Sequence, residues 1–197
     1  MQIAVALYPG LTALDAVGPY EVLRQLPDAE VRFVGAAPGP VVADSGVLFL
    51  GVTHTYEETP DPDVVLVPGP GPGTATTHWM TQPGLAAMGA KPQRGQRIVH
   101  AGKVATAAGV SAGIDLGLWL TGQIAGREHA ETIQLYIEYD PQPPLHAGHP
   151  SKASKAVVGS AKTLGRRIAS NPSEVPAVQQ IAWQRVVGTF RKRKGLS

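Results

Sequence analysis

Ile3-Ala4-Val5-Ala6-Leu7 is a continuous apolar run closed by Tyr8-Pro9-Gly10. A strand with one wet face alternates apolar and polar side chains, whereas an unbroken apolar run belongs to a strand buried on both faces, as in a parallel sheet covered by helices. No other stretch constrains the fold as much. It places a central strand near the N-terminus and predicts an α/β architecture.

The rest of the chain follows suit. Asp15, Gly18 and Pro19 precede a predicted helix over residues 20–26, with Val22, Leu23 and Leu26 on one face and Pro27-Asp28 ending it. Residues 31–34 and 63–68 read as strands, and residues 41–42 and 47–50 flank a turn at Asp44-Ser45-Gly46. Further on come a helix near residues 84–89, a hairpin of residues 97–100 and 103–107 turning at Ala101-Gly102, and helices over 114–124 and 127–139. Strands alternating with helices predict a doubly wound sheet.

One break stands out. Val67 is followed by Pro68-Gly69-Pro70-Gly71-Pro72-Gly73-Thr74 and at once by Ala75-Thr76-Thr77-His78-Trp79. A buried parallel strand needs a crossover of roughly ten or more residues to reach the next one, and none intervenes here.

Composition bounds the function. With 197 residues, 43% of them hydrophobic, the chain makes one domain plus a tail. It has no cysteine, which excludes disulfides, thiolate metal sites and thiol nucleophiles together. The opening apolar run lacks the marks of a secretory signal and no stretch reaches membrane-spanning length, so a cytoplasmic protein without membrane contact is expected. Charge divides sharply at Ser151: residues 1–151 hold seven Lys and Arg against fourteen Asp and Glu, and residues 152–197 hold ten against one. A basic, mobile tail over 151–197 is expected behind an acidic body over 1–150.

Several segments in order carry a resemblance. They are Tyr8-Pro-Gly-Leu-Thr-Ala-Leu-Asp15-Ala-Val-Gly-Pro19, Val67-Pro-Gly-Pro-Gly71, Ala75-Thr-Thr-His-Trp79, Ala108-Gly-Val-Ser-Ala-Gly-Ile-Asp115 and Ile137-Glu-Tyr-Asp-Pro-Gln-Pro-Pro144. Together they resemble the isocyanide hydratases, and the amidase-like domains of related regulators, in the ThiJ/PfpI superfamily. The resemblance implies a flavodoxin-like three-layer sandwich with a mostly parallel sheet, a homodimer, no cofactor, and hydration of an isocyanide to an N-substituted formamide by covalent thiol chemistry. In that family a strand and a sharp turn bearing a cysteine follow the Gly-Pro loop. Here that segment is missing, closed over near residues 74–75, so one strand-helix unit is expected to be lost and the core to be thinly covered.

The resemblance makes Asp15 the remnant acid/base that would serve the thiol, against a plainer role as a helix cap. Gly69 and Gly71 are candidates for substrate contact through backbone amides, or parts of a stiff turn. His78 resembles the histidine beside the nucleophile, or is a packing histidine. Gly109-Val110-Ser111-Ala112-Gly113 matches G-x-S-x-G, with Asp140 and His146 or His149 following in hydrolase order, against a structural turn. His146 and His149 make the sole suggestive metal spacing, in a loop, and no metal is expected. The basic stretch 152–197, with Trp183 and Phe190, could meet nucleic acid, although Pro172 and Pro176 interrupt any helix-turn-helix. Expected activity is little or none of the hydratase reaction, with a small-molecule sensor or nucleic-acid-associated module, or a Ser111 hydrolase, as the other readings.

Overall fold

The structure is a computed structural model and describes residues 1–169. Pro172, Pro176, Trp183, Phe190 and the basic run Arg191-Lys192-Arg193-Lys194 lie outside the described residues. The elements run β1 (Gln2–Ala6), α1 (Ala13–Leu23), β2 (Glu30–Gly35), β3 (Gly39–Val42), β4 (Phe49–Val52), β5 (His54–Thr55), β6 (Val64–Leu66) and β7 (Thr74–Ala75). There follow α2 (Gln82–Ala87), β8 (Lys91–Pro92), β9 (Ile98–Ala101), β10 (Val104–Ala107), α3 (Ala112–Ala125), α4 (Arg127–Tyr136) and α5 (Lys155–Ala169).

β1 is an interior strand of the sheet, as its unbroken apolar run requires. The order is β5-β2-β1-β6, all parallel, with Val5 level with Phe33 on one side and Leu66 on the other. Ile3, Val5 and Leu7 enter one cluster with Leu11, Ala16, Leu23, Leu26 and Val52, and each such large side chain removed from water contributes about 1.5–3 kcal/mol. Ala4 and Ala6 point the other way, into a small cluster with Val34, Tyr56, Val65 and Val67. Among the described residues that second cluster draws on strand and loop residues.

The helical face is set by close approach. A side chain at Gly18 of α1 would meet Ile114, and side chains at Gly113 and Gly117 of α3 would meet Pro19 and Val22, at 3.1–3.2 Å. These glycines let α1 and α3 lie against each other. The same contact explains a correction: α1 starts at Ala13, with Gly18 and Pro19 inside it rather than before it. Proline forfeits one helical hydrogen bond and crowds the preceding turn, and the packing of Pro19 on α3 offsets that loss.

The expected break is present. β6 ends the four-stranded sheet, and the chain passes through the glycine-rich loop directly into β7, which pairs with β8 and not with β6. β9 and β10 form an antiparallel hairpin hydrogen-bonded to each other, turning at Gly102 with φ +63°. β3 and β4 form a second hairpin with Gly46 at φ +75°. Residues 155–169, read above as tail, form the helix α5. Among the described residues no helix is long and apolar enough to cross a membrane.

Candidate functional site

The carboxyl end of β1 is where an open parallel sheet offers a crevice. Tyr8 leaves the strand there, 4% exposed, and its phenol donates to the Pro68 carbonyl at 2.5 Å. This bond fixes the start of the glycine-rich loop against the end of β1. Gly69 follows with φ +113°, and a side chain on it would lie 3.4 Å from the Tyr8 oxygen. Burial, and then the nearby Asp15 charge, push the Tyr8 phenol up, so it stays a proton donor across the neutral range.

Asp15 sits in the first turn of α1, half-buried. It is not the cap. Thr12 holds the N-cap position, and its hydroxyl goes instead to the Asp44 carboxylate at 2.7 Å. Among the described residues the Asp15 carboxyl makes no hydrogen bond, and burial, followed by repulsion from Asp44, lifts it from 3.8 to about 6. The site thus holds a half-buried, unbonded carboxyl group poised to carry a proton just below neutrality.

The other candidates collect one step away. Gly71 passes so close to β10 that a side chain on it would lie 2.6 Å from the Thr106 methyl. The Thr106 hydroxyl accepts from the Thr76 amide at 2.9 Å, and the Thr76 hydroxyl donates to the Gln96 carbonyl at 2.9 Å. The Gln82 amide donates to the Thr77 carbonyl at 2.9 Å, while its own Oε1 is buried and has no hydrogen-bond partner among the described residues. This polar knot anchors the loop that presents His78. The His78 ring lies against Trp79 and beside Gly109, its Nδ1 faces the Met80 amide at 3.4 Å, and burial holds it below the usual histidine range. The structure joins Tyr8 with the Gly69 end of the glycine-rich loop, and Gly71 with the loop of His78 through Thr106 and Thr76, while Asp15 stands in the first turn of α1. Among the described residues no hydrogen bond links the two groups.

Ser111 is the exposed N-cap of α3. Asp140 accepts from Gln142 at 2.9 Å and His149 pairs with Ser151 at 2.7 Å, so neither orients a base on Ser111. Asp115 instead ties α3 to the hairpin and the C-terminal arm, accepting from Arg97 and, at 2.8 Å, from Tyr139. Among the described residues no group of three His, Cys, Asp or Glu could hold a metal ion.

Asp44 and Tyr8 were not singled out by sequence. Asp44 reads as an ordinary turn residue of Asp44-Ser45-Gly46, and nothing local says that the turn folds back onto residue 12.

No family model matches the chain. Isonitrile hydratase of Pseudomonas putida is 33% identical over 204 residues, covering 82% of this chain and 89% of the relative. Those 204 positions outnumber the residues that 82% of this 197-residue chain supplies, so a stretch of the relative has no counterpart here. A crystal structure of a ThiJ/PfpI family protein from Pseudomonas syringae superposes with a TM-score of 0.77 at 28% identity, over 92% of this chain and 88% of that one. DJ-1beta of Drosophila melanogaster matches with a TM-score of 0.61 at 15% identity, over 70% of this chain and 97% of its own, a likeness of fold alone.

Proposed function

The chain belongs to the isonitrile hydratase-like branch of the ThiJ/PfpI superfamily, and on that premise we propose that it binds a small neutral ligand of the isocyanide kind while turning it over slowly or not at all. The observation that carries this reading is the absence of cysteine, together with the direct passage from β6 through the glycine-rich loop to β7. Hydration by covalent thiol chemistry needs a thiolate to attack the isocyanide carbon. With no thiol the chain keeps an acid, Asp15, and a loop, Gly69 to Gly71, but not the nucleophile they would serve.

Binding can persist where covalent chemistry cannot, because the unbonded Asp15 carboxyl stays at the carboxyl edge of the sheet. The test is an isocyanide hydration assay beside an intact relative, with calorimetric titration of benzyl isocyanide into the purified protein. Binding with formamide production at least a thousandfold slower than the relative's supports the reading. Turnover near the relative's rate overturns it.

We further infer a cytoplasmic homodimer. Leu135, Tyr136 and Leu145 are 81%, 71% and 75% exposed, and a second copy covering them would remove that apolar surface from water. Sedimentation equilibrium tests this. A nucleic-acid role has one observation in its favour, since Lys155, Lys162 and Arg166 share one side of α5 and are exposed. Salt-sensitive DNA binding that disappears when all three become glutamate would favour it.

A further inference from the structure

α5 meets the body along one narrow face. Among its described side chains Val158, Ala161 and Gly165 are half-buried, and their spacing of three and four residues puts them on one side of the helix. Val157 and Leu164 beside them are 48% and 59% exposed. At Gly165 the approach is close. A side chain there would run into the Met80 Cε and stand 2.9 Å from its Sδ. Glycine weakens the interior of a helix, and its presence at 165 is explained by the methionine that fills the room a Cβ would need.

The two sides of this contact are held differently. The Thr81 amide donates to the His78 carbonyl at 2.9 Å, the Thr81 hydroxyl to the same carbonyl at 3.0 Å, and the Gln82 amide to the Thr77 carbonyl at 2.9 Å. The turn that carries Met80 is thus braced on the polar knot. Residues 141–149, which lead towards α5, are all exposed and lie in neither helix nor strand. Bonds in the first part of α5 are local, from the Val158 amide to the Ser154 carbonyl at 3.0 Å and from the Thr163 hydroxyl to the Gly159 carbonyl at 3.2 Å. If the contact is forced apart, the helix moves and the turn stays.

We propose that Met80 is a peroxide-sensitive latch, which seats α5 as a thioether and releases it as a sulfoxide. A lone pair of the sulfur attacks one oxygen of a hydroperoxide. The O–O bond breaks, an S–O bond forms, the sulfur gives up two electrons, and the other oxygen leaves as water or alcohol with the proton of the transferred hydroxyl. Met80 is half-buried rather than sealed, so a small peroxide reaches it. The product is larger by one atom, beside a glycine that leaves no space at the sulfur. Its oxygen also requires hydrogen bonds, and the side chains of Val158, Ala161 and Gly165 offer none. Release uncovers the turn of His78 and Trp79, so the state of one sulfur governs access to a residue of the candidate site. The latch goes beyond the ligand reading and does not depend on it.

The test treats the whole protein with hydrogen peroxide and reads sulfoxide at Met80, and at Met88 with its 53% exposure, by peptide mass spectrometry. Amide hydrogen exchange is followed in α5 and in β1. With Met80 converted, α5 amides should exchange about tenfold faster or more while β1 stays protected, and methionine sulfoxide reductases for both epimers should reverse the change. Met80→Leu keeps the apolar volume without an oxidisable atom and should hold α5 in place with or without peroxide. Gly165→Leu should release α5 with no peroxide present. The proposal is overturned if Met80 resists peroxide that converts Met88, or if α5 exchange is unchanged at full Met80 conversion. It is equally overturned if the acceleration persists in Met80→Leu, or if β1 loses protection together with α5.

Discussion

Tyr8 donates its phenolic hydrogen to the carbonyl of Pro68, 60 residues away, at 2.5 Å and out of contact with water. The bond joins the ends of β1 and β6, neighbouring strands followed by Asp15 in the first turn of α1 and by Gly69 in the glycine-rich loop. Tyr8→Phe leaves the Pro68 carbonyl buried without a donor. It should destabilise the protein by about 1–2 kcal/mol in urea unfolding, and a loss within error of zero would mean that the loop is held by packing alone.

Asp15 should make stability depend on pH in a definite sense. Its folded-state pKa, about 6, lies above its ordinary 3.8, so ionising it is harder in the fold than in the unfolded chain. Its contribution is whole below about pH 4 and is lost as the pH rises through about 6. Asp15→Asn should therefore flatten the curve and be more stable than the parent above pH 6, by about 1–3 kcal/mol. Urea midpoints of the two proteins from pH 4 to 8 check this, and a difference that does not grow across that range contradicts it.

Gly71 has no room for a side chain, because a Cβ would come within 2.6 Å of the methyl of Thr106, whose hydroxyl is engaged by the Thr76 amide. Gly71→Val should cost about 1–3 kcal/mol by overpacking. Gly84, in α2 with nothing within 4 Å, is the control, and Gly84→Ala should be neutral or stabilising by up to about 1 kcal/mol. Thermal unfolding of both variants distinguishes a crowded site from a general intolerance of the region.

The two faces of the sheet should differ in what they contribute. Val5 lies in the large cluster beneath the helices and Val34 in the small one on the other face, both almost wholly buried. Val5→Ala should cost about 2–3 kcal/mol and Val34→Ala about 1 kcal/mol. Equal costs would mean that the second face is packed as well as the first.

What the sequence made legible was whatever a single segment decides. The apolar run at residues 3–7 announced an interior parallel strand, and the Pro-Gly loop running straight into Ala75 announced that no crossover helix follows the strand of residues 63–68. What stayed hidden depends on contacts between distant segments. The start of α1 was placed too late because Pro19 is a local stop signal, overruled by its packing against Gly113 and Gly117. β7 and β8 pair over two residues each, too few for any periodicity to register. Asp44 looked like a turn residue because it is one, and its bond to the hydroxyl of Thr12, 32 residues away in sequence, is a contact that no local pattern announces.

All four strands of the parallel sheet lie within the first 66 residues, whereas α3, which packs on α1 to close the helical face, spans Ala112–Ala125. A ribosome adding about 5–20 residues per second delivers the last strand roughly 3–12 s before the end of α3. During that interval the nascent sheet has its strands but not its lid, with Val22 and Leu23 of α1 awaiting their partner helix. The brevity of β6, three residues long, limits the edge it can offer to a neighbouring chain on the same polysome. The order of elements thus leaves the finished sheet without α3 for as long as residues 67–125 take to be made.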